Sequence, residues 1–259
     1  MYTQGLGLKE KLAIVEDSFQ IAIGSSNGNF TLIPDGNAEI IIPIKENISF
    51  KCIGSVRSLN LLAGKGYFIM PRRRGAEISL SFRTKCLVIK LNPVYAKKIA
   101  DRITEISNGV FDLGLSLRQV EELCKTVQAK DRFEMSDYLE NLFDDISDLY
   151  EYNTTILHAI DQIKESCGTI SVKEIYSNLS VSKSKLEQHF NREIGLTPKE
   201  FCKIEKVNCF INAYKDDENL SLTELTYQCG YYDQSHLIKD FKYFLDTSPK
   251  KFFLSQERG

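Results

Sequence analysis

Two short stretches of this 259-residue chain concentrate side chains that hydrogen-bond and carry charge without breaking covalent bonds. The first is Ser182-Lys183-Ser184-Lys185-Leu186-Glu187-Gln188; the second is Gln234-Ser235-His236-Leu237-Ile238-Lys239, with Lys242 one turn further on. Amides, hydroxyls and ammonium groups of this kind address base edges and phosphates when a helix presents them on one face. The machinery of bond-breaking chemistry has no counterpart in the first half of the chain, where paired carboxylates, a nucleophile elbow and a phosphate-cradling glycine loop are all missing. His158, His189 and His236 all lie in the second half, so a histidine-lined metal site in the first half is not available. No cofactor is expected.

The elements that must position these side chains can be read locally. Before the second stretch, Gly230 can take the positive φ of a sharp turn between helices, and Asp233 can cap the helix that follows. Leu237 and Phe241 then lie four apart on one face, which turns Gln234, Ser235, Ile238 and Lys239 away from the core. In the first stretch Ser182 is the cap, and Leu186 and Phe190 form the apolar pair.

The two stretches are halves of a repeat. Ser171-Val172-Lys173-Glu174-Ile175 and Ser221-Leu222-Thr223-Glu224-Leu225 are both capping boxes followed by an apolar residue. Leu179-Ser180-Val181 matches Cys229-Gly230-Tyr231 at the turn, and Thr197-Pro198-Lys199-Glu200-Phe201 matches Ser248-Pro249-Lys250-Lys251-Phe252. The offset is about 50 residues at the start and 51 at the end, so one inserted residue near the turn keeps the register. Each unit reads as helix, turn, helix and a Pro-initiated helix, and the helix from Pro198 to about Tyr214 joins the two. Two such helices can enter successive major grooves on one side of a duplex, roughly 34 Å apart.

With these residues in view, the segment from Ile156 to Phe252 resembles the DNA-binding domain of the AraC/XylS family of bacterial transcription regulators. The resemblance rests on Leu186-x-x-x-Phe190, Gly195-x-Thr197-Pro198-x-x-Phe201, Gly230-Tyr231-x-Asp233-x-Ser235-x-Leu237, Phe241-Lys242 and Ser248-Pro249. It implies a sequence-specific binder of double-stranded DNA that recruits or blocks RNA polymerase. Matching positions put base contacts on Ser184, Glu187 and Gln188 in the first recognition helix, and on Gln234, Ser235, Ile238 and Lys239 in the second. The chain departs from the family at Asp246, where glycine is usual, and at Thr226 and Phe210, where alanines are common. Glu187 repels phosphates unless it accepts from a cytosine amino group. Two other readings stay open: a cysteine-dependent alkyl-transfer DNA repair regulator, and a ligand-binding protein without specific DNA contacts. No cysteine sits in a Cys-His or basic cluster that would activate it.

The first half reads differently. Strands are expected at Glu39 to Ile42, Ile48 to Ile53, Tyr67 to Met70, Glu77 to Phe82 and Cys86 to Leu91, with a turn at Pro34-Asp35-Gly36. Closely spaced strands without long helices favour an antiparallel sandwich or barrel. Leu32-Ile33-Pro34-Asp35-Gly36 and Val88-Ile89-Lys90-Leu91-Asn92-Pro93 look like the cupin-like domains of some regulators in the same family, which implies effector sensing or dimerisation. Pro71-Arg72-Arg73-Arg74-Gly75 reads as a solvated basic loop, with an anion seat as the alternative. Helices are expected from Pro93 to Ile103, Leu117 to Val127 and Arg132 to Tyr150.

The fold expected is therefore α+β in two domains: residues 1–112 as a cupin-like sensing or dimerisation domain, 113–151 as a helical connector, and 152–259 as an all-α double helix-turn-helix domain. The partners expected are DNA and RNA polymerase, with room for a small-molecule effector and a homodimer. A chain with 42% hydrophobic and 26% charged residues is globular rather than disordered. With no membrane-spanning run and no secretion signal, it is expected in the cytoplasm. From Thr155 onward, 14 basic residues face 15 acidic ones, so phosphate contacts must come from local clusters. Seven cysteines without a CxxC pair are expected as reduced, mostly buried thiols.

Overall fold

The computed structural model describes residues 14–22, 28–81, 84–129, 131–143, 154–216 and 221–256. The first half is a sandwich of two antiparallel sheets. Its strands are β1 (Val15–Ala22), β2 (Gly28–Leu32), β3 (Ala38–Ile44), β4 (Ile48–Cys52), β5 (Leu59–Leu61), β6 (Tyr67–Ile69), β7 (Ala76–Leu80), β8 (Lys85–Leu91), β9 (Thr104–Ser107) and β10 (Val110–Asp112). The larger sheet runs β1-β8-β3-β6-β10-β9 and the smaller one β2-β7-β4-β5.

Alternation explains the uninterrupted apolar run of β3. Ile41 points between the sheets, where it meets a core that includes Phe50, Ile69, Ile78 and Val88. Ile40 and Ile42 point to the other face, which helices cover. That outer core continues through Leu123, Met135 and Leu139 into Phe190, Phe201, Phe210 and Phe241 of the second half. One apolar body therefore spans both halves of the chain.

After β8 come a 3-10 turn (Pro93–Tyr95) and α1 (Ala96–Ala100), then, beyond β10, α2 (Leu117–Ala129) and α3 (Arg132–Leu142). The backbone N–H of Val15 in β1 donates to the buried Ser136 hydroxyl of α3 at 3.3 Å, which fixes α3 on the edge of the larger sheet. The second half is all helical: α4 (Thr154–Glu165), α5 (Val172–Asn178), α6 (Lys183–Glu193), α7 (Pro198–Asp216), α8 (Leu222–Gln228), α9 (Gln234–Leu245) and α10 (Pro249–Gln256). No helix among the described residues is long and apolar enough to cross a membrane.

The structure bears on the sequence reading of strands, helices and cysteines. Strands β1, β2, β5, β9 and β10 depart from the expectation; β1 carries Glu16, Asp17 and Ser18, β9 is short and mostly polar, and β10 is only three residues long. The helix expected from Pro93 is a 3-10 turn and one short α-helix that ends at Ala100. The helix expected from Arg132 to Tyr150 is described only to Leu142, and Ile146 and Leu149 lie outside the described residues. The cysteines are not all free thiols: Cys167 and Cys209 form a disulfide, Cα to Cα 5.8 Å, which ties the end of α4 to α7. Spacing rules test local pairs, and these two meet only through helix packing, 42 residues apart.

Candidate nucleic-acid interface

Each half of the helical repeat builds the same seat. Ser171 and Glu174 close a reciprocal capping box at the start of α5, and Ser221 and Glu224 do the same at α8. Ser182 Oγ then accepts from Lys185 N at 3.2 Å to start α6, and Asp233 Oδ1 accepts from His236 N at 2.9 Å to start α9. The turns between also correspond, since Ser180 (φ 53°) and Gly230 (φ 72°) both take the left-handed conformation. A Cβ on residue 230 would fall 2.6 Å from Thr169 Cγ2, so glycine meets a steric as well as a torsional demand there.

The two second helices are mounted on α7 in one way. Phe190 of α6 meets Phe201 of α7 edge-to-face at 5.9 Å, and Phe241 of α9 meets Phe210 of α7 edge-to-face at 5.7 Å. With 19 residues at 1.5 Å each, α7 is a rod of roughly 28 Å that holds both. Leu186 and Phe190, and likewise Leu237 and Phe241, are buried beneath these contacts.

Burying those pairs leaves the singled-out side chains outward. Ser182, Lys183, Ser184, Lys185 and Gln188 are exposed on or before α6, and Glu187 is half-buried with Lys183 Nζ 3.8 Å from its Oε1. On α9, Gln234, Ser235, Lys239 and Lys242 are exposed and Ile238 is half-buried. Gln234 Nε2 donates to Thr223 Oγ1 at 2.6 Å, so the preceding helix orients its amide, a contact no periodicity indicates. Asp246 adopts φ 55° at the C-terminus of α9, as its tolerance of the left-handed conformation allows. Thr226 satisfies its buried hydroxyl on Leu222 O at 2.6 Å.

The arginine run is only in part the solvated loop expected: Arg73 is exposed, yet all three guanidinium groups are engaged, so the run is not an open anion seat. Arg72 Nη2 donates to Glu39 Oε1 at 3.0 Å, and Nη1 lies 3.0 Å from Oε2, in a buried ion pair. Arg73 Nε meets Glu200 Oε1 of α7 at 2.8 Å, and Arg74 Nε donates to Tyr243 O of α9 at 2.6 Å. The backbone N–H of Gly75 donates to Phe244 O at 2.8 Å. The sandwich thus grips the C-terminal end of α9, the helix that carries Gln234 and Lys239. Nearby, Asn208 Nδ2 donates to Pro34 O at 2.7 Å, and the Phe201 ring lies where a Cβ on Gly36 would be, 2.5 Å from Cε2.

The sandwich also has a cleft of about 410 Å³ between its edge strands β1 and β2, lined by Phe19, Ile21, Phe30, Leu32, Glu39 and Lys90 among others. Lys90 pairs with Asp35 and lies 5.6 Å from the Phe19 ring centroid. Among the described residues no group of three His, Cys, Asp or Glu side chains is placed to hold a metal ion. Burial pushes the Cys86 thiol up to about 12 and Cys202 up to about 11, the opposite of an activated thiolate, which disfavours cysteine-dependent alkyl transfer.

Comparison with known proteins agrees with this geometry. Residues 156–255 match the model of a helix-turn-helix domain. The xylose operon regulatory protein of Haemophilus influenzae is 29% identical over 101 residues, 39% of this chain and 26% of that protein. Its Escherichia coli K12 counterpart is 28% identical over 98 residues, 38% of this chain and 25% of that protein. The chain thus spans about a quarter of the length of these curated relatives. Across both halves, the fold is that of ToxT from Vibrio cholerae O395, with a TM-score of 0.59 and 10% identity over 92% of this chain and 96% of ToxT.

Proposed function

We propose that this chain, whose residues 156–255 are a helix-turn-helix domain of the AraC/XylS type, is a cytoplasmic transcription regulator that reads double-stranded DNA with α6 and α9 and adjusts its output through the sandwich. The observation that carries the reading is the matched mounting of the two helices on α7, each by an edge-to-face phenylalanine pair. A rigid rod with two equivalent heads fits successive major grooves on one side of a duplex. Gln234, Ser235, Ile238 and Lys239 address base edges from α9, and Ser184, Glu187 and Gln188 do so from α6. Ser182, Lys183, Lys185 and Lys242 lie at the margins, where backbone phosphates pass.

The sandwich is the sensing domain in this reading, and its β1–β2 cleft the seat of a small effector. Phenylalanines at the wall with Lys90 and Glu39 suit an amphipathic molecule of modest size. ToxT, which shares the fold at 15% identity and a TM-score of 0.56 in this comparison, has been solved with an unsaturated fatty acid bound. RNA polymerase is the further partner, and a second copy of the chain is its candidate companion on DNA. The chain is a regulator rather than an enzyme.

Selection of bound duplexes from a random pool tests the reading directly. The chain should enrich a two-part sequence, and Gln234→Ala or Lys239→Ala should weaken that binding by about 1 to 3 kcal/mol at unchanged thermal stability. Equal loss on selected and random DNA would reduce these two residues to backbone contacts. Enrichment of no sequence would refute the proposal.

A further inference from the structure

The helical domain has a formal excess of acid, yet one of its grooves is basic. It lies between the two helix-turn-helix units and has a volume of about 680 Å³. Lys199, Lys203 and Lys206 of α7 form one wall, His236 and Lys239 of α9 the other, and the Gly230–Tyr232 turn closes one side. Positions 199, 203 and 206 follow helical spacing, so they make a stripe along the connecting rod. The stripe covers roughly 10 Å of helix axis at 1.5 Å per residue. That length matches about three base-pair steps of duplex rise, at about 3.4 Å each.

The single carboxylate in the groove is already engaged, with Asp240 Oδ1 3.2 Å from Lys203 Nζ. Lys206 Nζ donates to Gly230 O at 3.1 Å and lies 5.1 Å from the Tyr231 ring centroid, which holds its charge at the groove wall. Lys199 and Lys239 are exposed, and among the described residues neither takes part in an ion pair. Tyr232 is 83% exposed and packs edge-on against His236 at 6.3 Å, adding donors beside the lysines. A surplus of ammonium groups in an open groove, set along a rod between two DNA-reading heads, suits an extended polyanion rather than a compact one.

We propose that this groove receives the sugar-phosphate backbone of the duplex where it crosses from one major-groove segment to the next, with Lys199 as its uncommitted contact. The proposal rests on the DNA-binding reading above and adds a site to it. It makes α7 a third contact element as well as a spacer, and it gives the domain the local positive charge that its composition withholds. Lys239 then stands where the α9 reading face meets the groove.

The test measures dissociation constants for the full chain on a selected duplex and on a random one across a salt series. Lys199→Ala should lower affinity about fivefold at 0.15 M salt on both duplexes and shallow the log–log salt slope by about 0.9. Lys199→Glu should lose more, base preference in selection should stay unchanged, and the melting temperature should not move. If both variants match the wild type on a duplex that the wild type binds, the groove is not a backbone site. Loss confined to the selected duplex also overturns the proposal, because it makes Lys199 a base reader. Failure of the wild type to bind any duplex would instead refute the underlying DNA-binding reading.

Discussion

Glu205 on α7 holds its proton into the neutral range, its pKa pushed up to about 7. Burial is the main cause; the acids Asp35 and Glu16 of the sandwich add to it, and Lys164 only partly opposes them. An ordinary glutamate in the unfolded chain releases its proton near 4.5, so between that value and about 7 the folded state binds more proton. The group's contribution to stability is therefore full below pH 4.5 and is lost as pH rises through 7. Glu205→Gln should flatten the decline of melting temperature between pH 5 and 7.5, and an unchanged profile would exonerate this carboxyl. Single residues divide sharply in how legible they are. Ser171, Ser182, Ser221 and Asp233 announce themselves, because a cap acts within four residues of its own position. Glu205, Thr223 and the Cys167–Cys209 pair do not, since each depends on neighbours brought in by folding.

At the scale of elements, the two turns of the repeat make a controlled pair. Gly230→Ala meets both a left-handed φ and the Thr169 methyl, and should cost about 1 to 3 kcal/mol in urea unfolding. Ser180→Gly at the equivalent turn relieves the same torsion and should be neutral or stabilising by up to about 1 kcal/mol. Equal responses at the two positions would mean that the turns are not equivalent. The helical repeat could be read from sequence because caps, turns and apolar pairs all agree on one register. The sandwich was half read: β3 and β8 are apolar runs, whereas β1 is masked by its acidic residues. The β9–β10 hairpin went unread although Asn108-Gly109, both at positive φ, is a strong hairpin signal. Its flanking strands are three or four residues long, too short to show alternation.

For the whole molecule, the joint between sandwich and helical half is the part that sequence concealed most completely. Three consecutive arginines look solvated until partners 33 to 169 residues away are in place. Arg73 ties the sandwich to α7 through Glu200, while Arg74 and the backbone bond from Gly75 to Phe244 tie it to α9. The double variant Arg73→Ala, Arg74→Ala should leave both halves folded and speed exchange of the Gly75 amide roughly fivefold, by loosening a joint worth about 1 kcal/mol. Exchange at the wild-type rate would show that the backbone bond and the apolar contact suffice without the side chains.

That apolar contact constrains ancestry as well as mechanics. The ring of Phe201 occupies the space a side chain would need at Gly36, so a bare α-carbon in the sandwich is matched to an aromatic in the helical half. Recombination that exchanged one half alone, bringing any larger residue to position 36, would drive a Cβ into that ring. A hybrid that keeps Phe201 therefore needs glycine at position 36, or a smaller residue at 201, for the two halves to close on one another as they do here.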